Sequence, residues 1–246
     1  MKYSLLSILI LFAISIFKCK KKAVGQSNQN DILHINKTKD FAITGNGAAS
    51  NWKKTNWINI RQRTKQSKSQ VLTTRAKVLY SNTGIYFLFE CQDRVLNSTM
   101  HSDFMHLWKE DVVEVFLWPN ESEPAYLEYE LSPLNHELPL LVSNLNGSLT
   151  RWRPYMYEGN RKTRHMTRVQ GGVKKSKARI SQWTAEFFIP FKLLRPLNNI
   201  SPTRGTKWKA NLYRIDYDSN QQRDYEWKPV KNSFHEIDKF GTLHFQ

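Results

Sequence analysis

Short runs of alternating apolar and polar residues, separated by turn residues, recur along the chain from about residue 40. TRAKVLY (74–80) and GIYFLFECQD (84–93) flank a turn at Ser81–Gly84, which is typical of a β-hairpin. No stretch keeps a helical period over three turns or more, and PFKLLRPL (190–197) predicts at most a short helical turn. This pattern predicts an all-β fold, an antiparallel β-sandwich over residues 40–246.

The first residues read as a targeting segment rather than as part of the fold. MKYSLLSILILFAISIFKC has Lys2 and then an uncharged stretch that is too short for the ~20 apolar residues of a membrane-spanning helix. It predicts a signal peptide or lipoprotein leader over residues 1–19, a polar tether over 20–39, and an exported protein. Cys19, followed by three lysines, resembles the lipid-modified cysteine of bacterial lipoproteins, although Lys18 departs from that pattern. The protein is therefore expected in the periplasm, on the cell surface, as an outer-membrane lipoprotein, or freely secreted.

The number of cysteines and the net charge limit the kinds of protein that this chain can be. The other cysteine, Cys91, lies on the apolar side of a predicted strand and is expected to be buried, so no disulfide framework is possible. The net charge is +16. A basic segment from Arg151 to Arg179 contains Glu158 as its sole acid. It is either a solvated surface or a site for an anionic polysaccharide or a membrane surface; the export signal disfavours nucleic acid.

Glu114 is the most informative single residue. In LWKEDVVEVFLWP (107–119), a strand would place Val112, Glu114, Phe116 and Trp118 on one face. A carboxylate in an apolar row costs free energy unless a protein donor, a metal or ligand hydroxyl groups satisfy it. The candidate protein donor is Arg214.

Five blocks of the chain stand in the order typical of family 9 carbohydrate-binding modules, and together they resemble that family. They are DFAITGNGAASNWKKTNWI (40–58), TRAKVLYSNTGIYFLFECQDRVLN (74–97), LWKEDVVEVFL (107–117), QWTAEFFIPFKLL (182–194), and the closing pair WKANLYRIDYD (208–218) with SFHEIDKFGTLHF (233–245). The resemblance implies a lectin-like, jelly-roll type β-sandwich that holds a sugar between two aromatic side chains.

The resemblance also implies site residues. Trp108 and Phe234 would be the aromatic walls, with Asn232 beside Phe234, and Glu114 would accept hydrogen bonds from sugar hydroxyl groups. Glu130 stands where sugar-binding members carry an Arg, which implies either a cleft altered for another ligand or a loss of sugar binding. Arg214 is a further candidate for ligand contact. The predicted function is carbohydrate binding without catalysis.

Three alternatives stay open. A glycoside hydrolase or lyase acting on an acidic polysaccharide would use Glu128 and Glu130, which share a strand face at about 6.7 Å, within the range of about 5–9.5 Å for such pairs. A metal could bind at His101, Asp103 and His106, or structural calcium at Asp93. Haem ligation by Met105 and His106 is the third alternative, as in a related class of sandwich domains.

Overall fold

The computed structural model describes residues 31–63, 71–145, 147–218 and 221–246. The predicted leader, with Cys19, lies outside these residues. Thirteen strands are present in the described chain: β1 Ile32–Lys37, β2 Ile58–Gln62, β3 Thr74–Tyr80, β4 Gly84–Gln92, β5 Val112–Trp118, β6 Ala125–Leu131, β7 Glu137–Leu145, β8 Ser148–Pro154, β9 Arg164–Gln170, β10 Gln182–Pro190, β11 Lys207–Asp216, β12 Arg223–Glu226 and β13 Gly241–Phe245. The helical segments are short 3-10 turns of three to five residues.

The strands form two layers, which confirms the predicted β-sandwich. The first layer has the order β8-β7-β6-β5-β11, and both β12 and β13 pair with β11. The second layer has the order β2-β3-β4-β10-β9. Pairing of β12 with β2, and of β1 with both β13 and β3, joins the layers at one side. The β1 pairings are parallel, and the other strand pairs are antiparallel.

The main core lies between the two layers and is built from alternate residues of facing strands. Phe187 of β10 stacks on Phe87 of β4 with ring centroids 5.2 Å apart and contacts Tyr129 of β6 at 5.0 Å. Cys91 lies in this core as a free, fully buried thiol, as predicted. Among the described residues, no helix has the length and apolar character needed to cross a membrane.

The predicted hairpin joins β3 to β4, and Ser81 N donates to the carbonyl of Gly84 at 2.8 Å. Gly84 is required because β10 packs closely against it, and not only because it lies in the turn. A Cβ atom at this position would lie 2.4 Å from the carbonyl oxygen of Ile189 and 2.4 Å from the ring of Phe188. The close approach of β10 therefore excludes a larger residue.

The predicted tether over residues 20–39 is wrong for its last part, because β1 occupies Ile32–Lys37. Ile35 is fully buried in the core between the layers, and Leu33 packs against it. The polar residues around these two side chains conceal a short alternating strand. The folded domain thus begins before residue 40.

Both layers also carry an apolar cluster on their outer faces. On the first layer, Val112, Phe116 and Tyr213 are covered by segments before β5 and after β12. On the second layer, Tyr86 and Leu88 are covered by the chain around residues 41–57, which includes Trp52. Glu186 of β10 holds that covering chain in place. Its carboxylate accepts hydrogen bonds from the backbone of Thr44 and Gly45 and from Nε1 of Trp52 at 2.7–2.9 Å.

Candidate functional site

A cleft of about 380 Å³ opens on the outer face of the first layer. It is lined by side chains from β2, β5, β6, β7, β8, β11 and β12 and from the segments around them. They are Arg63, Trp108, Glu114, Phe116, Glu128, Leu140, Leu149, Trp152, Ile215, Gln222, Asp224, Asn232, Ser233, Phe234 and His235. The structure therefore brings together four of the residues predicted to bind ligand, namely Trp108, Glu114, Asn232 and Phe234, and it leaves Glu130 behind the cleft lining.

Trp108 is held in place by its aromatic neighbours and by its backbone. It lies in a short 3-10 turn, Leu107–Lys109, directly before β5. Its ring stacks on His106 with centroids 4.5 Å apart and meets the edge of Trp152 at 5.3 Å. The hydroxyl group of Tyr217 donates to the Trp108 carbonyl at 3.3 Å. The indole is therefore fixed while one part of it stays open to the cleft.

Phe234 is fixed in a comparable way on the segment after β12. Its ring stacks nearly parallel on Tyr213, with centroids 4.0 Å apart, and the Tyr213 hydroxyl donates to the Phe234 carbonyl at 2.8 Å. Glu236 accepts hydrogen bonds from the backbone N–H groups of Lys231 and Asn232 at 3.0 and 2.6 Å. These bonds lower the pKa of Glu236 and define the loop that presents Phe234.

Three glutamates form an acidic floor beneath these aromatic side chains. Glu114, Glu128 and Glu130 are only 2%, 5% and 0% exposed. Glu114 lies directly opposite Glu130 across the β5–β6 pair, and Glu128 lies on the same face of β6. Both oxygens of Glu130 and Oε2 of Glu128 lack a donor among the described residues while the two groups are ionised, and the side chains hydrogen-bond to each other once one is protonated.

Burial raises the pKa of all three carboxyl groups. Desolvation is the main cause, and it raises the pKa of Glu128 to about 8. For Glu114 and Glu130 the repulsion of the neighbouring carboxylates raises the pKa further. The floor therefore favours protonated carboxyl groups, or ionised groups opposite a bound cation.

The basic side chains that line the described cleft do little to neutralise the floor. Nδ1 of His235 lies 3.9 Å from Oε2 of Glu128, but burial lowers the pKa of His235 to about 4, so it is neutral at pH 7. Nη1 of Arg63 lies 3.7 Å from Oδ2 of Asp224 and is thus shared with another acid. The floor has an excess of acidic groups.

Comparison with known proteins agrees with this architecture. The carbohydrate family 9 binding domain-like family matches residues 43–246. The chain belongs to this family. No curated protein matches it.

Solved structures share the fold of this family 9 domain. A candidate carbohydrate-binding protein from Bacteroides uniformis superposes with a TM-score of 0.70 at 15% identity, covering 88% of this chain and 99% of its own. A family 9 carbohydrate-binding module from Caldicellulosiruptor kristjanssonii was solved with cellotriose and with glucose. Both structures give a TM-score of 0.61 at 16% identity, covering 87% of this chain and 93% and 95% of theirs.

Arg214 does not line the cleft of this family 9 domain, and the predicted contacts of Arg214 with ligand or with Glu114 are wrong. Its neighbour in β5 is Val113, so its side chain points into the core between the layers. There it is fully buried, and Nη2 lies 3.0 Å from Oδ2 of Asp93 and 2.8 Å from Oδ1 of Asp216. A one-residue step along a strand reverses the face, which explains why Arg214 and Glu114 do not meet.

Asp93 was the candidate calcium ligand. Asp93, Asp216 and Asp218 have carboxylate oxygens within 4.8 Å of one another, and this is the one such group of acids, His or Cys among the described residues. However, Arg214 and Trp183 donate to Asp93, and Arg214 and Arg223 donate to Asp216. Ca²⁺ needs six or more oxygens and no facing cations. The donor set therefore fits an internal ion-pair network and does not fit a calcium cage.

The other metal candidates are engaged elsewhere. Asp103 accepts a hydrogen bond from the backbone of Glu137 at 3.0 Å, and His106 stacks on Trp108. Met105 packs against the outer apolar cluster of the first layer. The described structure therefore does not gather His101, Asp103 and His106 into one metal site, and it gives no support for haem ligation by Met105 and His106.

Trp152, His235 and the cleft position of Glu128 were not predicted as part of the binding site. Trp152 of β8 is 38% exposed and stands between Arg151 and Arg153, so the sequence indicated only a charged surface segment. Trp152 alternates with Arg151 and Arg153, and this alternation is the sequence signal that could have predicted a strand with Trp152 on the opposite face from the two arginines. His235 follows Phe234 directly, and its ring stacks on Phe116 with centroids 5.3 Å apart.

Proposed function

We propose that this family 9 domain binds carbohydrate in the cleft between Trp108, Trp152 and Phe234, without catalysis. The observation that carries the proposal is the combination of rigid aromatic walls with a floor of buried carboxyl groups. Sugars present apolar C–H faces, which pack on aromatic rings, and hydroxyl edges, which hydrogen-bond to carboxyl groups. Aromatic side chains also bury area at low entropic cost because they have few rotamers.

Binding is favoured over hydrolysis or lysis by the electrostatics of the floor. Glycoside hydrolysis pairs one protonated with one ionised carboxyl group. Burial raises the pKa of Glu114, Glu128 and Glu130 alike, so none of the three is set apart as the ionised partner. The matched family is also one of binding domains.

The test is calorimetric titration of the purified protein with mono- and oligosaccharides, including glucose and cellotriose, the ligands of the Caldicellulosiruptor module. We expect saturable binding of at least one sugar, with no release of reducing sugar on prolonged incubation with polysaccharides. Absence of binding across a glycan array would contradict the proposal, and steady product formation would favour a hydrolase or lyase.

We further propose that the domain acts outside the cytoplasm, because its first 19 residues have the pattern of a leader. Lipidation at Cys19 would attach it to a membrane. Intact-mass spectrometry of protein from its native host should show a chain that begins at Cys19 and carries acyl mass. A mature chain that begins further on, without lipid, would contradict the anchor and keep export.

A further inference from the structure

The acidic floor of the cleft contains buried carboxyl groups that are not paired with the lining cation Arg63, which pairs with Asp224. Glu114 and Glu128 line the cleft, and Glu130 is fully buried behind them, where it hydrogen-bonds to Glu128 when one of the two carboxyl groups is protonated. A buried acceptor without a donor costs free energy, and more when it is charged. A ligand that brings donors to these oxygens regains that free energy on binding.

The surrounding titratable groups do not supply the missing charge. Tyr126 and Tyr213 have raised pKa values because they are buried, so both are neutral. His235 is neutral as well, and its Nδ1 already bonds to the Tyr126 hydroxyl at 2.5 Å. Asp224 adds another acid at the rim and shares Arg63. The floor therefore either stays protonated or is neutralised by a cation that the ligand brings.

An ammonium group fits this surrounding better than a hydroxyl group. It carries three N–H donors and a positive charge, whereas a sugar hydroxyl carries one donor and no charge. Charge-assisted hydrogen bonds are about twice as strong as neutral ones. The faces of Trp108, Trp152 and Phe234 add attraction for a cation that is held near them.

We propose that the cleft selects an amino sugar with a free ammonium group, that is, an unacetylated hexosamine unit, whose nitrogen is held by Glu114 and Glu128, with Glu130 behind them. The proposal rests on the carbohydrate-binding function proposed above and names its substrate class. The net charge of +16 does not oppose it, because salt screens surface charges beyond about 8 Å while the floor acts at contact distance.

The test compares glucosamine, N-acetylglucosamine and glucose by calorimetric titration, at a pH where the free amine is protonated. Acetylation removes the charge and leaves the ring unchanged. We expect glucosamine to bind at least about tenfold more tightly than the other two sugars, which corresponds to about 1.4 kcal/mol. Because the ammonium group favours ionised carboxyl groups, its binding should also release protons, seen as a dependence of the binding heat on the ionisation enthalpy of the buffer.

Two variants of the floor, with a control outside the cleft, test whether the preference for glucosamine depends on the buried carboxyl groups. Glu128→Gln should abolish the preference for glucosamine and reduce the proton release, and Glu114→Gln provides a second test if Glu128→Gln folds poorly. Glu121→Gln, at an exposed position outside the cleft, should keep both the preference for glucosamine and the proton release. Equal or tighter binding of glucose would overturn the amino-sugar inference and leave the carbohydrate-binding proposal standing. Failure of all three sugars and of the wider glycan array would overturn both.

Discussion

Glu114 and Glu130 lie directly opposite each other on β5 and β6, and both side chains are buried. Two like charges in this position destabilise a sheet. Desolvation is the main cause that raises the pKa of each carboxyl group; repulsion by Glu128 and Asp224 adds to it for Glu114, and repulsion by Glu114 and Glu128 adds to it for Glu130. The fold keeps these acids on a face that is otherwise apolar, where their ionisation would weaken the sheet.

The raised pKa values predict that the protein loses stability as the pH rises from about 7 to about 8. Glu128 has a folded-state pKa of about 8, against an ordinary value of 4.5, so in this range the folded state holds a proton that the unfolded state has lost. The free energy of unfolding should fall by up to about 1.4 kcal/mol per pH unit for this group. Urea unfolding at a series of pH values measures the slope.

Glu128→Gln is the control for that prediction and should make the slope shallower, by nearly one proton near pH 7 and by about half a proton near pH 8. The range above about pH 7 is chosen because His165 and His235, whose pKa values are lowered to about 4, act in the opposite direction at lower pH. A free energy of unfolding that increases between these pH values would show that the floor is not protonated in the folded state.

Trp108→Ala should weaken sugar binding by at least about 1 kcal/mol, because it removes a flat anchor from one wall of the cleft. Its effect on stability should be small, since the ring is only partly buried. Trp57→Ala, on the outer face of the second layer, is the matched control and should bind sugar normally. A fully buried Trp would instead cost about 3–5 kcal/mol of stability on truncation. Calorimetric titration measures the loss of sugar binding and thermal melts measure the loss of stability, so together they show whether Trp108 is a wall of the cleft or a core residue.

Arg214→Met should reduce the free energy of unfolding by about 3–5 kcal/mol, because it leaves Asp93 and Asp216 as buried charges without their partner. Arg75→Met is the control, since Arg75 pairs with Glu90 near the surface and such pairs contribute about 0–1 kcal/mol. Chelation with EGTA should leave the melting temperature of the parent unchanged. A large rise in melting temperature on adding CaCl₂ would contradict the ion-pair interpretation of this network.

Glu186→Gln should destabilise the protein by about 1.5–3 kcal/mol, because the amide replaces a carboxylate that accepts hydrogen bonds from Thr44, Gly45 and Trp52. Sugar binding should be unchanged, since this contact lies on the opposite layer from the cleft. Glu90→Gln serves as a surface control. Equal stability of the two variants in urea unfolding would show that the carboxylate does not hold the covering chain.

Local alternation predicted much of the fold and part of the site. It gave the β3–β4 hairpin, and it placed Glu114 on the opposite face from Val113, as observed. The aromatic walls came from the resemblance to the family rather than from the pattern, because alternation says nothing about which distant segments meet.

The wrong prediction for Arg214 and the missed role of Trp152 also come from contacts between segments that are far apart in the sequence. Arg214 pairs with Asp93, which is 121 positions away in the sequence, and that contact depends on how the two layers pack. Trp152 reaches the cleft because β8 adds to the edge of the first layer beside β7. Neither relationship leaves a local trace in the sequence. The strand β1 was missed because its two apolar anchors, Leu33 and Ile35, are a short signal within a polar segment.

The basic segment from Arg151 to Arg179 predicts salt-dependent retention of the protein on anionic polysaccharides, outside the acidic cleft. It contains β8 and β9, the edge strands of the two layers, where charged side chains also discourage pairing with other chains. Retention on a sulfated polymer should fall steeply as salt rises, because screening shortens the reach of surface charge to about 8 Å at physiological ionic strength.

Two double variants distinguish a local basic surface from net charge alone. Lys162→Glu with Lys175→Glu changes two exposed residues of the segment, and Lys53→Glu with Lys54→Glu changes the net charge equally at another exposed site. We expect the first pair to reduce retention more than the second, as measured by affinity chromatography in a salt gradient. Equal losses for both pairs, or equal retention on a neutral polymer, would mean that the basic side chains of the segment do not form a local site for anionic polysaccharides.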